Sequence, residues 1–529
     1  MRTTILRLAA GVMTAAATTI TFSAQAEDLV IGARAEIEMD PHFFWLSSNV
    51  AYYRHLYGHL VSNDEKAQKI PDLAESFTPI SDTIWEFKLR PGVRFHDGSE
   101  LDAEDVVASF ERVRTIPNTA SPYSGNLRGI TETIVIDPLT IHFRTDKPEP
   151  LLPGPLTQVA IIPSEIAKTA STPDFKTTAA IGAGPYKFVS YTPGEELVLT
   201  RYDDYWGERP IWDTVTFKFI EDDAARVAAL LSGDVDVIDF VSPSDVARLE
   251  RDPKTVVHSG PSDRTIYFYT DMAREVSSFA VDKKTGEPLS PNPFLDIRVR
   301  QAISKAVDRD AMTQKVMENL ATPAAQTVPP GFGGYNPDIP LIAYDPEGAK
   351  ALLSEAGYPD AFGLTVHCPN DRYVNDGKVC QAMGQMLARI GFDMKVETMP
   401  KAVYFPRAGK REGDDAFSLF MLGWGSGASG EADTLWNLMQ TYDKERGIGL
   451  YNHGRYSRPD FDALVIKATQ TLDAKERHAI QREAMAMAMK DVALIPVHYQ
   501  SVIVATRKGL KYRTRADEET HAMEVTVAE

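Results

Sequence analysis

A strand, a loop and a helix follow one another in the stretch Leu364-Thr365-Val366-His367-Cys368-Pro369-Asn370-Asp371-Arg372-Tyr373-Val374-Asn375-Asp376-Gly377-Lys378-Val379-Cys380. Residues 364–366 are apolar or β-branched, and they predict a strand that runs directly into the first cysteine. Residues 376–390 predict a helix, and residues 393–397 predict the next strand. Alternating strands and helices are typical of an open α/β layer.

Arg372 lies in the loop of this stretch. Its planar guanidinium can bind a carboxylate through two parallel hydrogen bonds. A charged side chain in a loop after a strand end can point into a cleft, the usual place for small ligands in α/β proteins. We therefore predict that Arg372 binds a ligand carboxylate. The alternative is a surface arginine paired with Asp371 or Asp376.

A glycine-rich segment, Gly423-Trp424-Gly425-Ser426-Gly427, follows a strand predicted over residues 417–422. The indole could stack on a ligand, or it could be an ordinary core residue. The small residues around it offer backbone N–H groups and room for bulk. The residues of this segment predicted to bind ligand with Arg372 are Gly423, Trp424, Gly425 and Ser426.

The N-terminus predicts export. Arg2 and Arg7 form a basic start, residues 8–22 are mostly apolar, and Ala24-Gln25-Ala26 offers a cleavage site. Residues 1–26 are therefore predicted to be a secretory signal peptide and the mature chain to be soluble in the periplasm; an uncleaved anchor is the alternative.

The cysteine pair has two interpretations. The chain contains Cys368 and Cys380 and no other cysteine. An even number in an oxidising compartment favours a disulfide, which would stabilise the fold by roughly 3 kcal/mol. Two buried free thiols are the alternative.

The net charge argues against several partners. The 74 acidic residues exceed the 56 lysines and arginines, which gives a formal charge of −18. Such an acidic chain is a poor match for nucleic acid or anionic membranes, so we predict neither as a partner.

Motifs for catalysis and for metal binding are missing from the sequence. His55 and His59 have the spacing of two ligands on a helix, but no third ligand is near in sequence. We find no H-E-x-x-H, no G-x-S-x-G and no P-loop. We therefore predict no metal, no cofactor and no catalysis. A secreted hydrolase is the alternative of another class.

A chain of 529 residues needs more than one core, and its pattern changes after an irregular segment at 277–293. Strands are predicted over 265–270, 494–497 and 502–504, near the chain's passages between two α/β lobes. The predicted parts are a signal peptide (1–26), lobe I (27–64), an inserted α+β subdomain (65–185), lobe I again (186–275), lobe II (276–497) and a return to lobe I (498–529).

Several segments together resemble the extracytoplasmic solute-binding proteins of family 5, which serve peptide and nickel ABC importers. Each motif is weak alone, but their order and spacing are specific, and they cover essentially the whole mature chain. The matching segments are residues 71–76, 87–98, 103–107, 182–186, 205–207, 299–303 with Asp308-Arg309, 344–346 and Gly423-Trp424.

The resemblance implies a two-lobed α/β fold of the type II periplasmic binding protein kind, with a subdomain inserted in lobe I and hinge strands between the lobes. It implies a solute-binding component that captures a short peptide or a peptide-like, carboxylate-bearing solute and delivers it to a membrane ABC permease complex. We expect a monomer. A metal chelate, haem, an opine-like conjugate or an oligosaccharide stays open as cargo.

The resemblance also gives site residues, with one departure. Dipeptide-binding members place the arginine that holds the peptide carboxylate at the position of Arg372. Their aspartate for the peptide amine falls here on Gly427, which has no carboxylate. Either Glu431 or Asp433 substitutes for it, or the ligand has no free amine at this point.

Four more residues are candidates for ligand contact. Phe44, Trp45 and Ser47 fall where the family's first loop touches ligand, although packing between lobes would also explain the two rings. Asp271, at the end of the strand that begins at Thr265, is a further candidate on the hinge side.

Overall fold

The computed structural model describes residues 28–119, 121–413, 415–426 and 431–528, and of Ser47 only the backbone. The predicted signal peptide and Gly427 lie outside these residues. In chain order the strands are β1 Asp28–Ala33, β2 Gly58–His59, β3 Val61–Asn63, β4 Lys69–Pro71, β5 Ala74–Ser81, β6 Ile84–Leu89, β7 Ile130–Asp137, β8 Thr140–Thr145, β9 Ala160–Ile161, β10 Tyr186–Thr192, β11 Glu196–Arg201, β12 Thr214–Phe219, β13 Val237–Ile238, β14 Thr255–Thr270, β15 Ser277–Val281, β16 Pro288–Leu289, β17 Ala321–Pro323, β18 Gly363–Pro369, β19 Asp393–Met399, β20 Leu419–Gly425, β21 Ile495–Arg507, β22 Leu510–Tyr512 and β23 Val525–Val527.

The helices begin where the sequence offers caps. Asp102 and Asp105 form a capping box at the start of α2, and Asp222 caps α5, which ends at Gly233 in the left-handed region. In chain order the helices are α1 Ser47–Leu56, α2 Ala103–Thr115, α3 Pro153–Leu156, α4 Ser164–Thr169, α5 Asp223–Ser232, α6 Pro243–Arg251, α7 Ile297–Ala306, α8 Arg309–Ala311, α9 Pro346–Glu355, α10 Asp376–Arg389, α11 Lys401–Ala408, α12 Pro459–Gln470 and α13 Ala474–Lys490.

One mixed sheet joins the two halves of the chain. Its strand order is β10-β11-β12-β1-β13-β21-β14-β20-β18-β15-β16, with β17 beside β21 and β19 beside β18. A separate antiparallel sheet, β5-β6-β8-β7, lies within the predicted inserted subdomain. The strand–loop–helix–strand unit of the opening stretch is observed as β18, α10 and β19, with β18 and β19 parallel.

The long antiparallel strands β14 and β21 carry the chain between the halves. Pro261 pairs with Ser501 and Thr265 pairs with Tyr499, so residues 262–264 lie opposite Gln500 alone. Such a bulge bends a strand and redirects its side chains. The sequence predicted only parts of these strands, at 265–270, 494–497 and 502–504.

The hydrophobic cores separate on either side of this bulge. One core draws on residues between Leu29 and Val237, together with Val504 and the C-terminal residues Leu510 to Val525. Two others draw only on residues between Ile266 and Val497. The exact bounds of the lobes stay a prediction.

On one side of the bulge, β14 is buried on both faces, as parallel and central strands of α/β layers are. Ile266 and Phe268 enter one core, and Tyr267 and Tyr269 enter the other. The strand is therefore anchored directly after residues 262–264, which fixes the position of the bulge.

Candidate functional site

The end of β20 lies beside the bulge of β14. Arg264 is in register with Gly425, the last residue of β20, so this strand extends past the residues 417–422 that the sequence predicted. A Cβ on Gly425 would lie 2.7 Å from Oδ1 of Asp263. A side chain at position 425 would therefore displace the carboxylate of Asp263.

Gly423 brings β20 against the loop that carries Arg372. A Cβ on Gly423 would lie 2.7 Å from both the Tyr373 ring and Ile266. The Tyr373 hydroxyl donates a hydrogen bond of 3.3 Å to the carbonyl of Gly423. The two segments predicted to bind ligand, the Arg372 loop and the segment that begins at Gly423, are therefore in direct contact.

The Arg372 loop is held at both ends. A disulfide joins Cys368 to Cys380 with a Cα–Cα distance of 6.1 Å, which confirms the disulfide and not the free thiols. The carboxylate of Asp376 accepts the backbone N–H groups of Arg372 and Tyr373 at 2.9 and 3.0 Å. These contacts restrict the loop before any ligand binds.

The guanidinium of Arg372 has no hydrogen-bonded or ion-paired partner within the described ranges. Asp376 is occupied by backbone N–H groups, and Asp371 accepts the backbone N–H of Lys401. The Cζ atom lies 5.1 Å from the centre of the Tyr373 ring. Burial lowers the pKa of Arg372, and the charge of Arg264 lowers it further. The group is a partly buried cation that a ligand carboxylate would stabilise.

Arg264 already has a carboxylate. Its Nε and Nη2 atoms donate to Oε2 of Glu518 at 2.8 and 2.6 Å, and Ser262 and Gln500 donate to Oε1. Burial opposes the charge of Glu518, but Arg264 keeps the pKa of that carboxyl below its usual value. This ion pair joins the bulge of β14 to the C-terminal segment.

Trp424 and Ser426 both donate to Asp433. The indole Nε1 lies 3.1 Å and the hydroxyl of Ser426 lies 2.6 Å from Oδ1 of Asp433. The indole also contacts Tyr451, with ring centres 5.0 Å apart. Glu431 instead accepts hydrogen bonds from Arg477 at 2.7 and 2.9 Å, which hold its pKa low against the effect of burial. The carboxylate of Glu431 is therefore part of a structural ion pair, whereas Asp433 orients Trp424.

The other predicted ligand contacts have partners of their own among the described residues, and their ligand role stays a prediction. Trp45 packs against the first core, and its backbone pairs with Ser121. No hydrogen bond, ion pair or ring contact among the described residues joins Phe44 or Trp45 to Arg372 or Trp424. Ser47 is the first residue of α1, and its side chain lies outside the description.

Asp271 is engaged in a turn. Its carboxylate accepts the Nε of Arg274 at 2.5 Å, and it also accepts backbone N–H groups of the turn. Asn292 donates to its carbonyl at 3.0 Å. Its ligand role stays a prediction, and the contacts observed are those of a structural carboxylate.

Sequence reasoning missed Asp263, Arg264 and Glu518. The first two follow Gly260-Pro261-Ser262 and come directly before a run of β-branched and aromatic residues at 265–270. A charged pair inside an apparent central strand is a signal of an exposed or functional position. Glu518 carries no such signal, because only the tertiary structure brings the C-terminal segment to the bulge.

The described residues contain neither a membrane-spanning helix nor a metal cluster. None of their helices is long and apolar enough to cross a membrane. No group of three or more His, Cys, Asp or Glu side chains there is placed to hold a metal ion.

The comparisons with known proteins agree with one another. A model of the bacterial extracellular solute-binding proteins, family 5 Middle, matches residues 68–446. The dipeptide-binding protein of Escherichia coli K12 is 28% identical over 529 residues, which cover 94% of this chain and 93% of that protein. The glutathione-binding protein GsiB of Salmonella paratyphi A is 28% identical over 499 residues, covering 92% and 91%.

A solved structure extends the likeness to three dimensions. It is a periplasmic binding protein associated with an ABC transporter, from Helicobacter pylori, in complex with the peptide STSA. The TM-score is 0.77 at 25% sequence identity, covering 95% of this chain and 99% of that chain. The predicted two-lobed α/β fold class is confirmed by this likeness.

Proposed function

Because the chain belongs to the bacterial extracellular solute-binding proteins of family 5, we propose that it is the periplasmic solute-binding component of an ABC importer. Its ligand is a short peptide or a peptide-like solute with a carboxylate. The relatives named for a dipeptide and for glutathione, and the structural neighbour with a bound peptide, support this ligand class.

The observation that carries the proposal is the unpaired guanidinium of Arg372. Partial burial of a charge without a partner costs free energy, and a charged partner with hydrogen bonds recovers part of that cost. A carboxylate fits the planar guanidinium with two parallel hydrogen bonds. The disulfide and Asp376 hold the loop in advance, which reduces the entropy that binding must remove.

Binding requires the lobes to move. Nη2 of Arg34, which follows β1, donates a hydrogen bond of 3.0 Å to the carbonyl of Asp371 in the Arg372 loop. A cavity of about 10 Å³ lies between β21, the C-terminal segment and Val374 of the Arg372 loop, and it has room for roughly one water molecule. The residues that line it include Phe240, Val374, Gln500 and Glu518. A peptide enters when the lobes separate, and its contacts to both lobes then favour the closed form.

The remaining parts of the proposal concern the compartment and the assembly. The sequence at 1–26 supports export, and the Helicobacter pylori neighbour is a periplasmic protein. The relatives are binding proteins, so we propose capture and release of the solute without chemical change. The protein acts as a monomer that docks on a membrane permease.

Calorimetry with di- and tripeptides built from Ala, Phe and Glu, each also as its C-terminal amide, tests the ligand class. The carboxylate should be preferred over the amide by roughly ten- to hundredfold, because a charge-assisted hydrogen bond is lost. Arg372→Ala should remove this preference. Arg248→Ala, an exposed position on α6, is the matched control. A variant at position 372 that keeps the full preference contradicts the proposed role.

A further inference from the structure

Ala516 and Glu518 bond to all three residues of the bulge in β14. The backbone N–H of Asp263 donates to the carbonyl of Ala516 at 2.8 Å. The side chains of Ser262 and Arg264 donate to the carboxylate of Glu518 at distances between 2.6 and 2.8 Å. Because β21 places a single residue opposite the bulge, the C-terminal segment provides contacts that the regular ladder cannot make there.

The carboxylate of Glu518 joins the two strands that carry the chain between the halves. Arg264 belongs to β14, and Gln500, which donates to Oε1 at 2.8 Å, belongs to β21. The side chain of Glu518 is 8% exposed and that of Arg264 is 11% exposed. Hydrogen bonds between a carboxylate and a guanidinium are strong, and the loss of one partner leaves a buried charge without compensation.

The C-terminal segment is itself anchored to the first half of the chain. The backbone N–H of Ala516 donates to the carbonyl of Glu65 at 2.8 Å. Nη2 of Arg515 donates to the carbonyls of Asn63 and Asp64 at 3.0 and 3.2 Å. These carbonyls lie at the end of β3 and in the turn that follows it. The segment therefore connects the first half of the chain to the bulge.

Arg264 marks the point where β14 enters the second half of the chain. It is the first residue of β14 in register with β20, and the residues from Ile266 onward enter the cores of that half. The ion pair between Arg264 and Glu518 thus links a segment anchored in one half to a strand anchored in the other. A bulge is a place where a strand bends, so this ion pair restricts the bend between the halves.

Glu518 adopts a backbone conformation that is unusual for a glutamate. Its φ of +62° lies in the left-handed region, where the Cβ of an L-residue is crowded. Its backbone N–H donates to the carbonyl of Arg515 at 3.1 Å, which closes the turn. Strained residues persist where the surrounding contacts determine their position, and they are concentrated at functional sites.

We propose that Glu518 is a positioning residue for ligand capture. Through Arg264 and Gln500 it holds the hinge at the bulge, and it thereby favours the compact arrangement of the two lobes before a ligand binds. Without this carboxylate, β14 bends more freely and the open form gains population. The inference rests on the proposed function, because it names a contact that sets the lobe arrangement which the ligand meets.

Double electron–electron resonance between spin labels on the two halves measures this arrangement. Glu104→Cys on α2 and Lys475→Cys on α13 provide exposed positions for the labels, and the native cysteines are joined in a disulfide. In ligand-free Glu518→Gln, the ratio of long to short distances should rise by roughly tenfold, because hydrogen bonds to a charged group are lost. Saturating carboxylate peptide should return the variant to the short distance, since the ligand contacts both lobes.

Asp491→Asn is the matched control. Asp491 accepts hydrogen bonds from Arg458 and Tyr456 at 2.6 and 2.8 Å, wholly within the second half of the chain. This variant should leave the distances unchanged, even where urea unfolding shows a loss of stability similar to that of Glu518→Gln. Arg264→Lys keeps the charge but not the planar pair of donor atoms, so it should shift the distances in the same direction by less. It replaces Glu518→Gln if that variant does not fold.

The outcomes separate the two proposals. A folded Glu518→Gln with the distances of the unchanged protein, or with shorter ones, overturns the inference and leaves the proposed function standing. An equal shift in Asp491→Asn also overturns the inference, because any weakened ion pair would then have this effect. A shift confined to Glu518→Gln and Arg264→Lys, in a protein that binds no carboxylate peptide by calorimetry, supports the hinge contact and overturns the proposed function.

Discussion

His498 in β21 shows how a single buried residue makes stability depend on pH. Its side chain has no exposed surface, and neither ring nitrogen has a partner among the described residues. Burial lowers the pKa of His498 to about 4, whereas an unfolded histidine has a pKa of about 6.5. Between these values the unfolded chain binds a proton that the folded chain does not. Acid therefore favours unfolding.

The free energy of unfolding should fall when the pH is lowered from 7.5 to 5. We expect this fall to be smaller by about 2 kcal/mol in His498→Leu than in the unchanged protein. Urea unfolding at the two pH values measures it. The partly exposed His142, 3.0 Å from Glu86, gives the control variant His142→Leu, which should not reduce the loss. If the free energy of unfolding falls by the same amount in the unchanged protein and in His498→Leu, His498 does not cause the pH dependence. Other histidines whose pKa burial lowers, and whose contribution remains, are His42, His55, His59, His96, His258, His367, His453 and His521.

Single residues were predictable from the sequence where chemistry and local position coincided. Arg372 stood out because a cation followed a strand end between two cysteines, and the structure gives its guanidinium no partner within the described ranges. Asp263 did not stand out, because its position beside Gly425 depends on a bulge and on pairing with a strand that is distant in sequence. Asp271 had a similar signal, but a turn occupies its carboxylate.

At the scale of elements, the disulfide connects the end of β18 to α10 and encloses the Arg372 loop. We expect the double variant Cys368→Ala/Cys380→Ala to lower the free energy of unfolding by roughly 3 kcal/mol, because the unfolded chain loses a constraint. Binding of the carboxylate peptides should weaken as well, because the loop is less organised before binding. Urea unfolding and calorimetry measure the two effects.

The unchanged protein treated with a reducing agent is the comparison for this variant. The agent should destabilise the protein in the same direction, and it should have no effect on the double variant. If unfolding of the double variant matches that of the oxidised protein, the bridge does not stabilise the loop.

Helices and strands with a regular apolar pattern were the most predictable parts of the fold. The strands that carry the chain between the lobes were the least predictable. The helix predicted at 376–390 is observed as α10, because its apolar spacing and the Gly391 that follows it are local signals. The strands β14 and β21 were predicted in fragments. Gly260-Pro261 and Gln500-Ser501 interrupt their apolar pattern where the chain leaves one core and enters the next. Only pairing across the molecule makes each of them continuous.

At the scale of the whole molecule, the contact between Arg34 and the carbonyl of Asp371 links the end of β1 to the Arg372 loop across the cleft. A hydrogen bond of this kind contributes about 1 kcal/mol net, which corresponds to about a fivefold change in an equilibrium constant. Arg34→Ala should therefore shift the ligand-free protein toward the open form by about fivefold.

Small-angle scattering should then show a larger radius of gyration for ligand-free Arg34→Ala than for the unchanged protein, with Arg248→Ala as the control. A saturating carboxylate peptide should bring both proteins to the same compact form, because the ligand supplies its own contacts to the two lobes. The apparent affinity for the peptide should also change, for two reasons. The open form, which the peptide enters, becomes more populated, and the closed form loses the contact that Arg34 makes. If the radius of gyration is the same with and without Arg34, and peptide changes neither protein, the lobes do not close on the ligand. Capture would then occur at a preformed surface, and the transport role would have to be explained without a change in shape.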